Sequence, residues 1–302
     1  MLDSANIQLC RTIYGDFYAW KEDLITRQLI QFSAHTRNEI AMIRSFIREG
    51  DTCLDIGAHI GTFSIPLARF NKEKGKIYSF EACPENYSLL ERNIYSNRLE
   101  KTIISENKIV SSLKKQKFTK IPIDNNSGGH SFIPSSENVE SVLNTIDLNE
   151  WYESNPNIKI NFVKIDVEGA EVDVLDSCKK IIKNNLPIIY IEIKQNALAK
   201  FATTPEDVEV RLKSLGYSFF RNIGSRNSDN DKFELSYIKN VKDGGAFYDL
   251  LAIHPSNPRY PSSLEYLRAR FNAFNYGTQR KVKNVSSRIQ NKMINLQNNL
   301  KK

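Results

Sequence analysis

Short apolar runs alternate with amphipathic stretches along most of this chain. The apolar runs predict seven strands, at Thr52–Ile56, Lys76–Glu81, Thr102–Glu106, Ile160–Asp166, Ile188–Ile193, Tyr217–Ile223 and Phe247–Ile253. Apolar residues at helical spacing between them predict helices at Asn38–Arg48, after Gly61, and at Glu85–Ser96, Glu168–Lys183 and Pro205–Leu215. Strands and helices that alternate in this way favour an α/β fold around a mostly parallel sheet.

Two segments interrupt the alternation. The run His254–Ser263 holds three prolines and three serines, which cannot continue a helix or a central strand. It divides the chain into a lead-in of short strands and a first helix (1–50), a main domain (51–257) and a tail (258–302). The second segment, 114–150, includes the polar patch Asn125–His130, which predicts a loop inserted between sheet strands.

The positive charge lies in the tail. The 302-residue chain has a formal net charge of +7, but Arg259–Lys302 contains ten basic residues and one acidic residue. The remainder, with 32 basic and 34 acidic residues, lacks the basic groove that nucleic-acid binding requires. From Val282 onward, apolar residues recur every three or four positions. Residues 264–302 are therefore expected to lie on anionic lipid, to pair with a second copy, or to pack on the body.

The cellular compartment is predicted from the cysteine pattern and from the lack of a recognisable membrane span or secretion signal in this sequence. The four cysteines have no metal-like spacing and are too few for a disulfide framework. The sequence contains no apolar stretch of the ~20 residues that a bilayer span requires, and its start does not resemble a secretion signal. We therefore expect a cytoplasmic protein, with the tail as an optional contact to the inner face of the membrane.

A glycine turn follows the first predicted strand of the main domain. Asp55 lies near the end of that strand, and Gly57 and Gly61 flank the turn into the next helix, where backbone can approach a ligand closely. His59 stands where the dinucleotide fingerprint has its second glycine, which admits a pyrophosphate. A ligand with an ammonium group and no diphosphate, such as S-adenosylmethionine, fits this turn. The simpler alternative is a tight strand-to-helix turn without a ligand.

Carboxylates end three further strands. Glu81 follows the glycine turn at about the twenty-residue distance at which an acid meets a ribose diol. Asp166 and Glu192 fall at the carboxyl ends of two later strands, the edge where ligands bind in open α/β sheets. If these strands are neighbours, both acids face one cleft. Glu168 and Glu171 are interpreted as acids at a helix start, which need no further function.

The order of these motifs resembles the FkbM family of S-adenosylmethionine-dependent methyltransferases. The resemblance runs from about Tyr14 to His254 and is carried by LDIGAHIGTFS, SFEACPENYSLLERN, TIDLNEWY, KIDVEGAE and IEI. It implies a class I methyltransferase fold: a Rossmann-like three-layer sandwich with a seven-stranded, mostly parallel sheet, whose last strand is antiparallel, followed here by a helical tail. Two positions depart from the family, His59, where asparagine is common, and Lys194, where histidine is common.

The resemblance also implies roles for single residues. Asp55, Gly57 and Gly61 would line the methionine half of the cofactor, Glu81 would hold the ribose, and Asp166 would lie near the reacting end. The full set expected to contact the cofactor is Asp55, Gly57, Ala58, His59, Gly61, Glu81, Ala82, Asn107 and Asp166.

Methylation of a sugar hydroxyl needs help with its proton, because such a hydroxyl is a poor nucleophile. Glu192 and His130 are the first candidates for this role, and Asp166 and His35 are further candidates. His59 is interpreted as positional, and His254 as structural. A magnesium ion on Asp166 and Glu192 is left open but not favoured, because no third carboxylate or asparagine follows Glu192. We therefore predict no metal site.

The expected activity is O-methylation of a sugar in a surface glycan or its lipid-linked precursor. The sequence lacks the Asn/Asp-Pro-Pro-Tyr motif that methylation of nucleic-acid bases uses, which agrees with the nearly neutral body. A polyketide-like or other small metabolite is the alternative acceptor. A nucleotide-dependent oxidoreductase or a non-catalytic binding protein on the same fold are alternatives of another class. The acceptor, the methylated position and the oligomeric state are left open.

Overall fold

An eight-stranded mixed sheet lies at the centre of the computed structural model. The structure describes residues 4–113, 117–121, 126–135, 144–225, 229–262, 265–270 and 272. Their strands are β1 Ile7–Arg11, β2 Asp16–Trp20, β3 Cys53–Ile56, β4 Ile77–Phe80, β5 Ile103–Glu106, β6 Ile109–Val110, β7 Lys117–Ile121, β8 Ser131–Ser135, β9 Thr145–Ile146, β10 Phe162–Ile165, β11 Ile188–Lys194, β12 Ser218–Asn222, β13 Leu235–Ile238 and β14 Phe247–Ile253.

Helices cover both faces of this sheet. They are α1 Leu24–Phe32, α2 Arg37–Phe46, α3 Ser64–Phe70, α4 Pro84–Ser96, α5 Leu148–Glu153, α6 Glu171–Ser177, α7 Lys179–Asn185, α8 Gln195–Lys200 and α9 Pro205–Lys213. The side chains of β3 alternate between two apolar clusters: Cys53 packs in one, with residues of α2, α3 and α4. Leu54 and Ile56 pack in the other, with α6, α7 and α9. The three-layer sandwich therefore follows from the period-two pattern of the strands.

The strand order of the central sheet is β13-β12-β14-β11-β10-β3-β4-β5. The five strands from β11 to β5 are parallel, and β14 is antiparallel to β11 and to β12. All seven predicted strands are present, and the antiparallel last strand of the class I methyltransferase fold is confirmed. The eighth strand, β13, was not predicted; it pairs antiparallel with β12 at the edge of the sheet.

The predicted helix Glu168–Lys183 is wrong at its start and in its middle. The backbone at Glu168 and Gly169 has φ values of +54° and +119°, which no right-handed helix tolerates. Helix α6 therefore begins only at Glu171, and α7 follows as a separate helix. By contrast, the predicted helix Pro205–Leu215 is confirmed as α9, whose first turn has a capping box between Thr204 and Asp207.

The lead-in is more regular than predicted. Strands β1 and β2 form a hairpin, and Asn93 on α4 accepts a hydrogen bond from the Tyr18 amide at 2.7 Å. Helix α1, which was not predicted, begins at a cap where Asp23 accepts from the Ile25 amide. The contact with Asn93 holds the lead-in against helix α4.

The insertion and the tail are described in part. Strands β7 and β8 form an antiparallel hairpin, and residues 127–129 form one tight turn before β8. Beyond the main domain, Arg259 makes two hydrogen bonds of 2.6 Å with the carboxylate of Asp51. The amphipathic pattern from Val282 lies outside the described residues. Within them, no helix combines the length and apolar character that crossing a membrane requires.

Candidate active site

The carboxyl ends of four parallel strands bring the predicted acids to one edge of the sheet. Ile56 is in register with Phe80 on one side and with Ile165 on the other, and Ile165 is in register with Ile191. The next residues along these strands are Glu81, Asp166 and Glu192, which therefore lie at the same level and converge there. Glu81 and Asp166 follow the last residue of their strands, whereas β11 continues to Lys194. They line a cavity of about 330 Å³.

The glycine turn after β3 forms one wall of this cavity. Gly57 has a φ of +78°, and a Cβ atom on it would lie 1.8 Å from the carbonyl oxygen of Asp166. Only glycine permits this approach of two strand ends. The amides of Gly57 and Ala58 both donate to the Phe80 carbonyl at 2.9 Å, and the Gly61 amide donates to Ala58. The turn is therefore fixed by hydrogen bonds to β4 and by one hydrogen bond within the turn.

Glu81 is a buried carboxylate held by the backbone. One of its oxygens accepts from the His59 amide at 2.7 Å and the other accepts from the Cys83 amide at 2.8 Å. Burial raises the pKa of Glu81 to about 7, although these two hydrogen bonds oppose the rise. Asn107 donates to the carbonyls of Glu81 and Ala82 and so fixes this strand end; unlike Glu81 and Ala82, it does not line the cavity.

Asp55 lies behind the cavity wall and does not line it. It is completely buried, accepts from Ser64 Oγ at 2.5 Å, and pairs with Lys164 Nζ at 3.3 Å. Lys164 Nζ also donates to the Gly57 carbonyl at 2.6 Å. Burial opposes the charge on Lys164, but Asp55 and Asp166 outweigh burial and raise its pKa. Asp55 therefore acts on the turn through Lys164, which differs from the expected direct contact with the cofactor.

His59 joins the glycine turn to the inserted segment. Its Nε2 lies 2.7 Å from Ser127 Oγ, and burial lowers its pKa to about 4, so the ring is neutral at pH 7. The Ser127 amide donates to Asp23, and Asn86 donates to the Ser127 carbonyl. The contact with Ser127 fixes the position of the His59 ring. The contacts of Ser127 hold the polar patch of the insertion over the cavity.

Three carboxylates meet at the other end of the cavity. Asp166, Glu168 and Glu192 each place an oxygen within 4.8 Å of the others, a spacing at which carboxylates can hold a metal ion. Glu168 is the third carboxylate that the sequence analysis did not find, because it was assigned to a helix start. Lys194 Nζ lies 2.7 Å from Glu168 Oε2 and supplies a positive charge to the cluster.

Two of the predicted histidines line the cavity and a third lies elsewhere. His35 and His130 both line the cavity. The ring of His35 contacts Phe63 edge to face, with centroids 6.1 Å apart. Burial lowers the pKa of His130, and the charges that act on it next are those of Lys120, Glu85 and Asp23, beside the glycine turn and the Glu81 strand end. His254 packs against Tyr217, with ring centroids 5.6 Å apart, and does not line the cavity.

Two charged residues of the site escaped the sequence analysis. Lys164 lies inside a fully buried strand, and Asp249 interrupts an apolar run in β14, where it lies opposite Glu192 in register. A charge at a buried strand position is costly unless it is paired, and this cost is the signal that could have identified both.

The cavity fits the parts of S-adenosylmethionine. Its volume lies within the usual range for small-molecule sites. Glu81 offers a carboxylate for the ribose hydroxyls, and Phe80, Ile109 and Val110 give apolar surface for an adenine ring. Asp166 lies at the far side of the glycine turn, where a negative charge suits the positive sulfonium and ammonium groups.

A family model and several known proteins are similar to this chain. The Methyltransferase FkbM domain matches residues 55–219, more than half of the chain. The hexuronic acid methyltransferase AglP of Haloferax volcanii is 30% identical over 161 residues, which are 52% of this chain and 63% of that protein. The chain therefore spans less than two thirds of the relative's length.

Two crystal structures are similar at lower identity. An FkbM methyltransferase from Methylobacillus flagellatus is 13% identical, with a TM-score of 0.40 over 76% of this chain and 53% of that one. An S-adenosylmethionine-dependent O-methyltransferase from Thermotoga maritima is 15% identical, with a TM-score of 0.41 over 82% of this chain and 77% of that one. The domain match covers the glycine turn, Glu81, Asp166 and Glu192 together. The chain belongs to the FkbM family of S-adenosylmethionine-dependent methyltransferases.

Proposed function

We propose that this protein transfers a methyl group to a hydroxyl oxygen of a sugar, in a surface glycan or its lipid-linked precursor. The observation that carries the proposal is the pair Asp166 and Glu192, whose carboxylates lie within 4.8 Å of each other beside the glycine turn. Carboxylates so placed can accept hydrogen bonds from an acceptor hydroxyl and take its proton. The name of the Haloferax relative supports a sugar-related acceptor.

The residues of the chain have separate tasks in this reaction. S-adenosylmethionine supplies an activated methyl group, which leaves the sulfonium in an in-line displacement. Glu81 holds the ribose, and Gly57 lets the strand ends approach closely. The segment around Ser127, held by Asp23 and Asn86, covers the cavity and helps to exclude water. The protein thus contributes alignment of the acceptor oxygen and a base for its proton.

Glu192 is the better placed of the two candidate bases. It is buried beside Asp166, whereas the charged neighbours of His130 are Lys120, Glu85 and Asp23. We expect Glu192→Gln to lower kcat by about 10²–10⁴-fold, the usual contribution of a general base. His130→Ala should lower it less. In both variants the affinity for S-adenosylhomocysteine should stay within about twofold of wild type, since neither residue holds the cofactor.

The control for these variants is Glu100→Gln, which alters an exposed acid before the amino end of β5, at the opposite edge of the sheet. Its kcat should equal that of wild type. The assignment of the base fails if Glu192→Gln keeps the wild-type kcat, or if His130→Ala is the more damaging change.

Cofactor affinity should depend on the protonation of Glu81. Because the pKa of Glu81 is about 7, the carboxylate is mostly protonated at pH 6 and mostly ionised at pH 8. Only the ionised form can accept from both ribose hydroxyls, so the affinity for S-adenosylhomocysteine should rise with pH, by about tenfold from pH 6 to pH 8. Calorimetric titration at several pH values measures this rise.

Folding stability should respond in the opposite direction. A raised pKa means that the folded state binds the proton more tightly than the unfolded state, so Glu81 lowers the free energy of unfolding as the pH rises from its ordinary pKa towards 7. Glu171 is a matched control for the prediction on cofactor affinity, because burial also raises its pKa to about 7 but it does not line the cavity. Glu81→Gln should flatten the rise of S-adenosylhomocysteine affinity with pH, and Glu171→Gln should leave that rise intact. The reverse pattern contradicts the assignment of Glu81 to the ribose.

A direct assay tests the reaction. Incubation of the full chain with S-adenosylmethionine carrying a labelled methyl group and a panel of glycosides should give a product heavier by one methyl group. An ether on a hydroxyl resists alkaline hydrolysis, whereas an ester on a carboxyl group is cleaved. A labelled product that survives alkali supports O-methylation of a hydroxyl. Label that is released as methanol contradicts it.

The tail, residues 264–302, packs on the body near its start, where Tyr266 contacts Phe220 and Asn272 donates to the Leu235 carbonyl. We propose that its later part contacts anionic lipid or a second copy of the chain. The apolar face from Val282 and the basic residues around it support either contact. A position at a bilayer surface would suit a lipid-linked acceptor.

A further inference from the structure

The acceptor end of the cavity carries an excess of negative charge. Asp166, Glu168 and Glu192 lie within 4.8 Å of one another, and Asp249 is the in-register neighbour of Glu192 on the adjacent strand. Side chains of directly opposite residues lie on the same face of a sheet, so the fourth carboxylate adjoins the other three. All four line the cavity.

Positive charge at this end is limited. Among the residues the structure describes, two cations line the cavity there: Lys194, whose Nζ lies 2.7 Å from Glu168, and Lys164, whose Nζ lies 3.6 Å from Asp166. Lys164 also pairs with the buried Asp55 at 3.3 Å, so its single positive charge is shared between two carboxylates. Lys200 contacts Ser131 at 3.3 Å and does not line the cavity.

Aromatic rings at the same end point independently to a sugar ligand. Phe247 lines the cavity with 51% of its surface exposed, and Lys194 Nζ lies 5.7 Å from the centroid of its ring. Phe63 and Tyr190 also line the cavity, with ring centroids 5.9 Å apart. Flat apolar rings can pack against the C–H face of a sugar while carboxylates accept from its hydroxyls.

We infer that the acceptor is an uncharged sugar and that this site selects against a hexuronic acid. The inference rests on the proposed sugar methylation and narrows its substrate. A sugar carboxylate placed here would face four carboxylates and two ammonium groups, one of which, Lys164, is shared with the buried Asp55. Negative charge still predominates, and like charges brought together in a partly buried site strongly disfavour a ligand. The hydroxymethyl group of an uncharged sugar at the same position would instead donate a hydrogen bond to one of these carboxylates. The chain therefore differs in acceptor from its Haloferax relative, which is named for hexuronic acid.

The test compares two glycosides that differ only at C6. The full chain is assayed with S-adenosylmethionine and either 4-nitrophenyl glucoside or 4-nitrophenyl glucuronide, and with the corresponding galactoside and galacturonide. Release of S-adenosylhomocysteine gives kcat/KM for each. We expect the neutral glycoside of each pair to be favoured by at least about tenfold.

Charge variants separate electrostatics from shape. Asp249→Asn removes one negative charge and should reduce the preference for the neutral glycoside by about threefold or more. Glu100→Gln, at the opposite edge of the sheet, should leave the preference unchanged. An unaltered preference in Asp249→Asn overturns the electrostatic basis of the inference.

The two proposals fail in different ways. A glucuronide or galacturonide that is methylated as well as or better than its neutral partner overturns this inference and leaves sugar methylation standing. No methylation of any glycoside by a protein that binds S-adenosylhomocysteine in calorimetry overturns the proposed function, and this inference with it.

Discussion

Replacing Gly57 by alanine should destabilise the fold and abolish cofactor binding. A Cβ atom at this position would lie 1.8 Å from the Asp166 carbonyl oxygen, so the ends of β3 and β10 must move apart. We expect the free energy of unfolding to fall by about 3–5 kcal/mol, the sum of left-handed strain and overpacking. A displacement of about 1 Å at the site should weaken S-adenosylhomocysteine by at least about 100-fold.

Gly50 is the matched control. Its φ of +79° equals that of Gly57 within a degree, but a Cβ atom on it meets no described atom within 4 Å. Gly50→Ala should therefore show only the conformational strain of about 1–2 kcal/mol and wild-type affinity. Urea unfolding and calorimetric titration of both variants separate the two contributions. Equal behaviour of the two variants contradicts the role given to the contact between Gly57 and Asp166.

Replacing Lys164 by methionine should be the most damaging change of a single charge. Lys164 pairs with the completely buried Asp55 and donates to the Gly57 carbonyl. Without it, the carboxylate of Asp55 lacks its counter-charge in a site that water does not reach. Breaking a buried pair in this way typically costs about 3–5 kcal/mol of stability. Because the glycine turn loses a support, the affinity for S-adenosylhomocysteine should fall as well.

Two further variants identify the cause of this loss. Lys164→Met combined with Asp55→Asn should recover part of the stability, because the uncompensated charge is gone. Lys180→Met breaks an exposed ion pair with Glu153 and should change the free energy of unfolding by less than about 1 kcal/mol. If Lys164→Met is as mild as Lys180→Met in urea unfolding, the account of the buried pair is incorrect.

The central sheet could be predicted because its strands are buried on both faces. Ile188–Ile193 is apolar apart from Glu192, and Phe247–Ile253 was predicted with its exact bounds. A strand that is buried on both faces is apolar at nearly every position, so its sequence can be recognised without knowing which strands lie next to it. Strand β13 escaped because Leu235–Ile238 is a short edge strand with half of its residues partly exposed, and such strands carry a weaker apolar pattern.

The site could be predicted for those carboxylates that lie at or near the carboxyl end of a strand. Glu81, Asp166 and Glu192 follow the rule for open α/β sheets, and the structure brings them to one cavity. Glu168 could not be placed, since its position depends on a left-handed backbone before α6 that sequence periodicity does not report. Asp55 and Lys164 form a pair through neighbouring strands, which becomes visible only once the register of β3 and β10 is known.

Calorimetric titration of S-adenosylhomocysteine into the full chain tests the central claim most directly. The account holds that the cavity at the carboxyl ends of β3, β4 and β10 receives this nucleoside. It predicts one binding site per chain, with an affinity that is lost in Gly57→Ala and kept in Gly50→Ala. A folded wild-type protein that gives no binding heat at any temperature tested, or binding that Gly57→Ala leaves unchanged, would contradict it.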